Sequence, residues 1–205
     1  MIPYLSRGNK KYKLAGLRTR TFGLPAWQSK EGFRTCPGAG LCRRGCYAQQ
    51  GRYVCTQTLD AQHRRLALVR SDRFVPVMDA ELRRLDLVRI HDSGDFFSLS
   101  YLKDWLTLIF LHPEIKFLTY TKMVPLFRKV QVPENFTVIF SEGGLYDAQI
   151  DPHRDKFARV FPTLAELRAS GFMDCHLTDV PALDPKVRRV GLIYHGWESR
   201  RFKTS

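Results

Sequence analysis

Short apolar runs rich in β-branched and aromatic residues alternate along this chain with longer stretches whose apolar residues recur every three or four positions. That alternation restricts the fold more than any other feature of the sequence. Runs of the first kind cover 17–24, 87–91, 115–121, 136–140, 157–161 and 187–194 and read as strands. Helices are expected over 47–70 and 79–85, after a Ser98 cap, in a brief turn opened by Pro125, and over 164–170 between a Thr163 cap and a Gly171 stop. After Ser98, the residues Leu99, Leu102, Trp105, Leu106, Ile109 and Phe110 share one helical face, and Pro113 ends it.

Strand then helix, repeated five or six times, calls for a parallel sheet with helices outside. A closed barrel of eight such units takes about 250 residues. This chain has 205. The expectation is an α/β fold, namely an incomplete, open parallel β/α barrel of about six units, with a doubly wound open sheet as the alternative. No repeat or linker divides the chain, so residues 1–205 read as one domain.

In parallel α/β folds ligands sit beyond the carboxyl ends of the strands. The unusual polar segments fall at those ends. A cysteine loop, 35–47, follows the first strand, and His91-Asp92-Ser93-Gly94-Asp95 follows the second. Tyr120-Thr121-Lys122 follows the third, and Ser141-Glu142-Gly143-Gly144 the fourth.

The loop packs Cys36, Cys42 and Cys46 among Gly38, Gly40 and Gly45. Close thiols without a secretion signal point to metal rather than to disulfides. Thiolates suit an iron–sulfur cluster or zinc, and the glycines let the backbone wrap round and aim N–H groups at sulfur. Arg43, Arg44 and a helix N-terminus behind the loop are expected to lower the thiol pKa values. Three ligands leave one position open. For zinc the candidates to fill it are Cys55, His63, Cys175 and His176, with His195 a weak one. Three buried thiols without metal are the bland alternative.

Charge is lopsided. The chain carries 33 Lys and Arg against 20 Asp and Glu, a net +13. Residues 1–70 hold fourteen of those bases and only two acids, Glu31 and Asp60. Such a field attracts polyanions, so nucleic acid or a nucleotide is the expected partner. Arg18, Arg20, Arg43, Arg44, Arg52, Arg64 and Arg65 are the candidate contacts. No G-x-x-x-x-G-K-[ST], G-x-G-x-x-G or H-E-x-x-H string is present, which removes the common NTPase, dinucleotide and zincin readings. No apolar run approaches the roughly 18–20 residues of a membrane span, so no membrane partner is expected. Oligomeric state is not legible.

The string T-C-P-G-A-G-L-C-R-R-G-C-Y-A-Q-Q-G-R-Y, with R-I-H-D-S-G-D-F-F-S and the later T-Y-T-K and P-E-N-F, resembles the phage gene-product-88 family. That family is in turn distantly similar to radical S-adenosylmethionine (SAM) enzymes. The resemblance spans roughly residues 10–145. It implies a radical-SAM-like partial barrel, a [4Fe–4S] cluster on Cys36, Cys42 and Cys46, SAM as a second cofactor, and a location in the host cytoplasm. Tyr47 is implied near SAM's adenine. The His91, Asp92, Ser93, Gly94, Asp95 segment is implied at its amino group, and Ser141, Glu142 and Gly143 at ribose or substrate. Asp92, Asp95 and Lys122 are the catalytic candidates, acting on a nucleotide, nucleic acid or peptide. The bland readings are an Asx-turn with a helix cap at 92–95, a tight turn at 142–144, a solvated Lys122 and a hydrogen-bonded His91. The loop spacing is C-x5-C-x3-C, where radical SAM enzymes usually carry C-x3-C-x2-C. The alternative is a non-catalytic, metal-containing nucleic-acid-binding protein.

Overall fold

A computed structural model describes residues 2–7 and 16–194. His195, the weak metal candidate at the end of the last strand, lies outside the described residues. Eight strands form one open sheet: β1 (Ser6–Arg7), β2 (Thr19–Phe22), β3 (Leu87–Ile90), β4 (Lys116–Thr121), β5 (Phe136–Ser141), β6 (Phe157–Phe161), β7 (Met173–Asp174) and β8 (Arg189–Ile193). Their order is β1-β2-β3-β4-β5-β6-β8-β7. Only β1 runs antiparallel to its neighbour.

From β1 to β6 the order advances in one direction. A doubly wound sheet reverses direction at a switch point; here the order turns back only at its far end, where β8 lies between β6 and β7. Among the described residues, five α-helices cover one face: α1 (Thr56–Val69), α2 (Phe74–Leu82), α3 (Leu99–Leu111), α4 (Val124–Phe127) and α5 (Leu164–Ala169). Right-handed crossovers that always step the same way deliver each helix to the same side.

The period-2 alternation of the strands separates two apolar layers. Phe22, Val88, Ile90, Phe117, Phe136 and Phe140 point to the helices and pack with Met78, Leu102, Trp105 and Ile109. Phe22 meets the edge of Trp105 at 5.2 Å and Phe74 at 5.9 Å. The alternate residues Leu87, Leu118, Ile139, Ala158 and Val190 point the other way and pack with Cys175 and Ala182. Burying each such Leu, Phe or Val stabilises by about 1.5–3 kcal/mol. This second layer fills only the lower part of the open face. Above it, toward the carboxyl ends of the strands, the face holds a cavity.

Two expected helices differ in extent. The run expected over 47–70 is broken: one-turn 3₁₀ segments at Tyr47–Gln49 and Gly51–Val54 precede α1. Gly51 at φ +57° and Cys55 in extended backbone interrupt the helix. In place of 79–85, α2 begins at Phe74, because Pro76 in its first turn gives up an N–H that has no intrahelical acceptor anyway.

Candidate functional site

The cavity has a volume of about 800 Å³ and lies at the carboxyl edge of the sheet. Cys36, Cys42 and Cys46 all line it, and none of the five cysteines is in a disulfide. Tyr47, His91, Asp92, Ser93, Gly94, Asp95, Lys122, Ser141, Glu142 and Gly143 line the same cavity, as do Arg43 and Arg44. Four loops well separated in sequence therefore meet at one place.

Neighbouring loops clamp the cysteine loop at three points. At its start, the Trp27 carbonyl accepts from the N–H groups of Thr35 at 3.0 Å and Cys36 at 3.2 Å. In the middle, Ala39 bridges Gly144, and the N–H of Cys42 donates to the Gly143 carbonyl at 3.1 Å. Backbones come so close there that a Cβ on Gly40 would lie 2.9 Å from the carbonyl carbon of Gly144. At its end, Tyr194 Oη donates to the Gly45 carbonyl at 3.0 Å, and a Cβ on Gly45 would overlap that hydroxyl at 2.2 Å.

The thiols do not titrate as the sequence suggests. Burial pushes Cys36 up to about 12, with the Asp95 carboxylate adding to the rise. Burial also raises Cys42 and Cys46, opposed by the Lys122 ammonium and, at Cys46, by the N–H groups of Ala48 and Gln49. The cation that faces the sulfurs is Lys122. Arg43 stacks on Trp27 at 4.1 Å, and no α-helix begins behind the loop.

The segment after β3 acts mainly as a brace. Ser93 Oγ donates to the Leu24 carbonyl at 2.7 Å and accepts from Gln62 Nε2 at 3.0 Å. Gly94 packs so tightly on Leu24 that a Cβ would come within 2.6 Å of it. The buried Asp95 carboxylate accepts from Thr121 Oγ1 at 2.6 Å, the Phe96 N–H at 2.7 Å and the Lys122 N–H at 2.9 Å. Helix α3 is capped separately, Ser98 Oγ accepting from the Tyr101 N–H at 3.1 Å. Asp92 is half-buried against Gly23. Its carboxyl is raised by burial and held back by Arg89 and Arg65. Its carbonyl accepts from Tyr47 Oη at 2.6 Å.

His91 takes φ +62° at the end of β3. Its ring packs on Phe96 at 4.4 Å, and Nε2 lies 2.9 Å from Tyr101 Oη. Nδ1 is buried with no hydrogen-bond partner. Desolvation lowers its pKa to about 3, so the ring is neutral and turned to the helix-side core.

Lys122 is not a solvated lysine. Its Nζ donates to Ser141 Oγ at 2.9 Å, the Glu142 carbonyl at 2.9 Å and the Ser141 carbonyl at 3.1 Å. Glu142 is held by Arg159 through two hydrogen bonds, at 2.6 and 2.8 Å. The N–H groups of Gly143 and Gly144 donate to the Asp147 carboxylate at 2.7 and 2.9 Å, which makes 142–144 a side-chain-capped turn.

Sequence reasoning missed two residues of the cavity lining, Arg89 and Asp179. Arg89, on the open face of β3, donates to the buried Asp179 at 3.1 Å and lies 5.2 Å from the Tyr120 ring. Tyr120 Oη donates to the other Asp179 oxygen at 3.2 Å. A lone arginine inside the apolar run Leu87-Val88-Arg89-Ile90 was the available signal; nothing comparable marks Asp179.

The seven candidate nucleic-acid arginines do not form one surface. Arg65 is buried and bonds to the Tyr4 carbonyl, the Gly23 carbonyl and Ser6 Oγ. Its role as a contact is corrected. Arg64 donates to the Pro3 carbonyl at 2.6 Å and covers the Tyr4 ring. Arg18 pairs with Asp86 at 2.7 Å at the opposite, amino edge of the sheet, and Arg20 is half-buried in β2. Arg43, Arg44 and Arg52 are exposed on the cysteine loop and the turns behind it.

The candidates for a fourth zinc ligand are engaged elsewhere. Cys55 is exposed near the Gly51 carbonyl, His63 lies 3.8 Å from Glu31, and His176 bonds to Asp174. Cys175 is buried in the lower apolar layer. Among the described residues, no group of three or more His, Cys, Asp or Glu side chains is set to hold a metal ion.

A family model, Gene product 88, matches residues 3–198. The chain belongs to the gene product 88 family. No curated protein and no solved structure matches it. Three soft thiols from one glycine-punctuated loop line one cavity, a donor set of the kind that thiophilic metals take. The thiols would have to draw together to engage one, since they are not gathered as they stand.

Proposed function

We propose that this gene product 88 protein is an iron–sulfur enzyme that holds a [4Fe–4S] cluster through Cys36, Cys42 and Cys46 and binds SAM in the adjoining cavity, on an open radical-SAM-like barrel. The observation that carries the reading is the meeting of three cysteines from one loop with the polar ends of β3, β4 and β5 around one cavity. The cysteine loop follows the first parallel strand, and the strands advance from it in one direction as far as β6. When bound, a cluster with one iron free of protein sulfur supplies one-electron chemistry toward a ligand beside it.

The chain's own residues do the rest. Lys122, fixed by three oxygens, sets a positive charge opposite Cys42 and Cys46 and offsets thiolate charge there. The brace at 92–95 and the turn at 142–144 hold the loop in place. Asp92 and the Glu142–Arg159 pair offer charged groups to a zwitterionic ligand, and Tyr47, beside Tyr53 at 5.5 Å, offers an aromatic wall.

The test is anaerobic reconstitution with iron and sulfide, reduction, and assay for 5′-deoxyadenosine from SAM. Formation of that product supports the reading. A loaded cluster that neither binds nor cleaves SAM overturns the SAM half of it.

One observation favours a second reading, a metal-containing nucleic-acid-binding module. Arg43, Arg44 and Arg52 are exposed around the cysteine loop. If they neutralise phosphates, affinity for single- or double-stranded DNA falls steeply with salt, and the triple Ala variant flattens that slope by about three.

A further inference from the structure

The outer side of the cysteine loop borders a second concavity, an open groove of about 710 Å³ that shares Trp27, Ala39, Leu41, Arg43 and Arg44 with the main cavity and adds Gly40, Gly144 and Leu145. Two large apolar side chains rise from its rim: Leu41 is 74% exposed and Leu145 64%. Single exposed leucines are ordinary on protein surfaces. These two share one rigid support. Their segments are zipped by the Ala39–Gly144 bridge, by the Cys42 N–H to the Gly143 carbonyl at 3.1 Å, and by the Leu145 N–H to the Gly38 carbonyl at 2.9 Å. Little conformational freedom is left to lose when something docks there.

Positive charge surrounds the leucines. Arg43 and Arg44 line the groove, and Trp27 at its wall carries the guanidinium groups of Arg43 at 4.1 Å and Arg34 at 4.3 Å. Asp147, the acid on the same turn, is engaged by the N–H groups of Gly143 and Gly144. An apolar centre with tryptophan and arginine around it is the composition of a protein-binding surface.

We propose that this groove docks an acidic polypeptide segment that presents an apolar side chain between Leu41 and Leu145. Charge complementarity to Arg34, Arg43 and Arg44 selects the acid, and the leucines select the apolar anchor. Nucleic acid brings phosphates but no side chain to cover the leucines. A bilayer brings anionic headgroups but a flat face. The inference does not depend on the cluster or on SAM.

The probe is a random-peptide display library panned on the purified full-length protein, followed by synthesis of the enriched peptide and measurement of its affinity. Enrichment of sequences that combine Asp or Glu with Leu, Phe or Trp is expected. Binding should weaken about tenfold or more in Leu41→Ser/Leu145→Ser, and comparably in Arg43→Ser/Arg44→Ser with a shallower salt dependence. The leucines are exposed, and an unchanged melting temperature of their double variant shows that folding is intact. Three results overturn the proposal: no acidic–apolar enrichment, enrichment indifferent to both leucines, or leucine-dependent binding of oligo(dT) or phosphatidylserine vesicles in place of the peptide.

Discussion

The backbone N–H of Asp95 donates to the carbonyl of Thr35 at 3.0 Å, one residue before the first cysteine of the loop. The Asp95 carboxylate meanwhile reaches Thr121 and Lys122 beyond β4. One buried residue thus joins the loops that follow β2, β3 and β4. That geometry makes Asp95 a positioning residue for the cavity wall.

Replacing Asp95 with Ala leaves three donors, Thr121 Oγ1 and the N–H groups of Phe96 and Lys122, without their acceptor. A buried donor left unsatisfied costs about 1–3 kcal/mol. Asp95→Ala should therefore lose about 3 kcal/mol or more, read as a lower urea midpoint, and Asp95→Asn should lose less. An Ala variant as stable as the parent contradicts the brace.

Gly40 approaches the Gly144 backbone so closely that any Cβ must push one loop off the other. Backbone cannot yield as a flexible side chain can, and overpacking of this kind costs about 1–3 kcal/mol. Gly40→Ala is expected to lower both stability and iron uptake. Gly32→Ala, with nothing within 4 Å of its Cβ but a φ of +80°, should cost stability without touching iron uptake. Equal iron uptake in Gly40→Ala and the parent counts against the clamp.

Arg65 is 4% exposed and bonds to three oxygens of the chain. Arg65→Ala should cost about 2–4 kcal/mol, because three acceptors, one buried and two partly buried, lose a charged donor. DNA affinity per folded molecule should stay unchanged. A stable variant with weakened DNA binding returns Arg65 to the surface.

His91 is held neutral, its pKa lowered to about 3 by desolvation. The unfolded chain takes up a proton near its ordinary value, about 6.5, while the folded chain does not. Folding stability contributed this way is complete above that pH and is lost as pH falls, by about 1.4 kcal/mol per unit. His91→Asn, an exchange that tolerates the φ of +62°, should flatten the urea midpoint between pH 6.5 and 4, roughly the window between those two values. Parallel pH profiles for parent and variant would show that His91 is not desolvated.

The strands were legible because residues such as Val88 and Ile90, alternating with Leu87 and Arg89, imprint a two-residue period on the sequence. The two-residue edge strands Ser6–Arg7 and Met173–Asp174 are too short to carry one. Position was legible too: polar clusters at the ends of successive parallel strands had to approach one another, and they share a cavity. What each side chain does there was not. Glu142 is bound to Arg159 and Arg89 to Asp179, partners 17 and 90 residues away that no local pattern announces. Charge counting placed Arg65 with Arg43, although folding buries one and exposes the other.

The most direct measurement is iron and sulfide uptake per chain after anaerobic reconstitution, made on the parent and on five single Cys→Ala variants. The proposed centre requires about four iron and four sulfide per chain in the parent. That uptake should be lost in Cys36→Ala, Cys42→Ala and Cys46→Ala and kept in Cys55→Ala and Cys175→Ala. A parent that takes up no iron, or uptake that survives loss of any of the three loop cysteines, contradicts it.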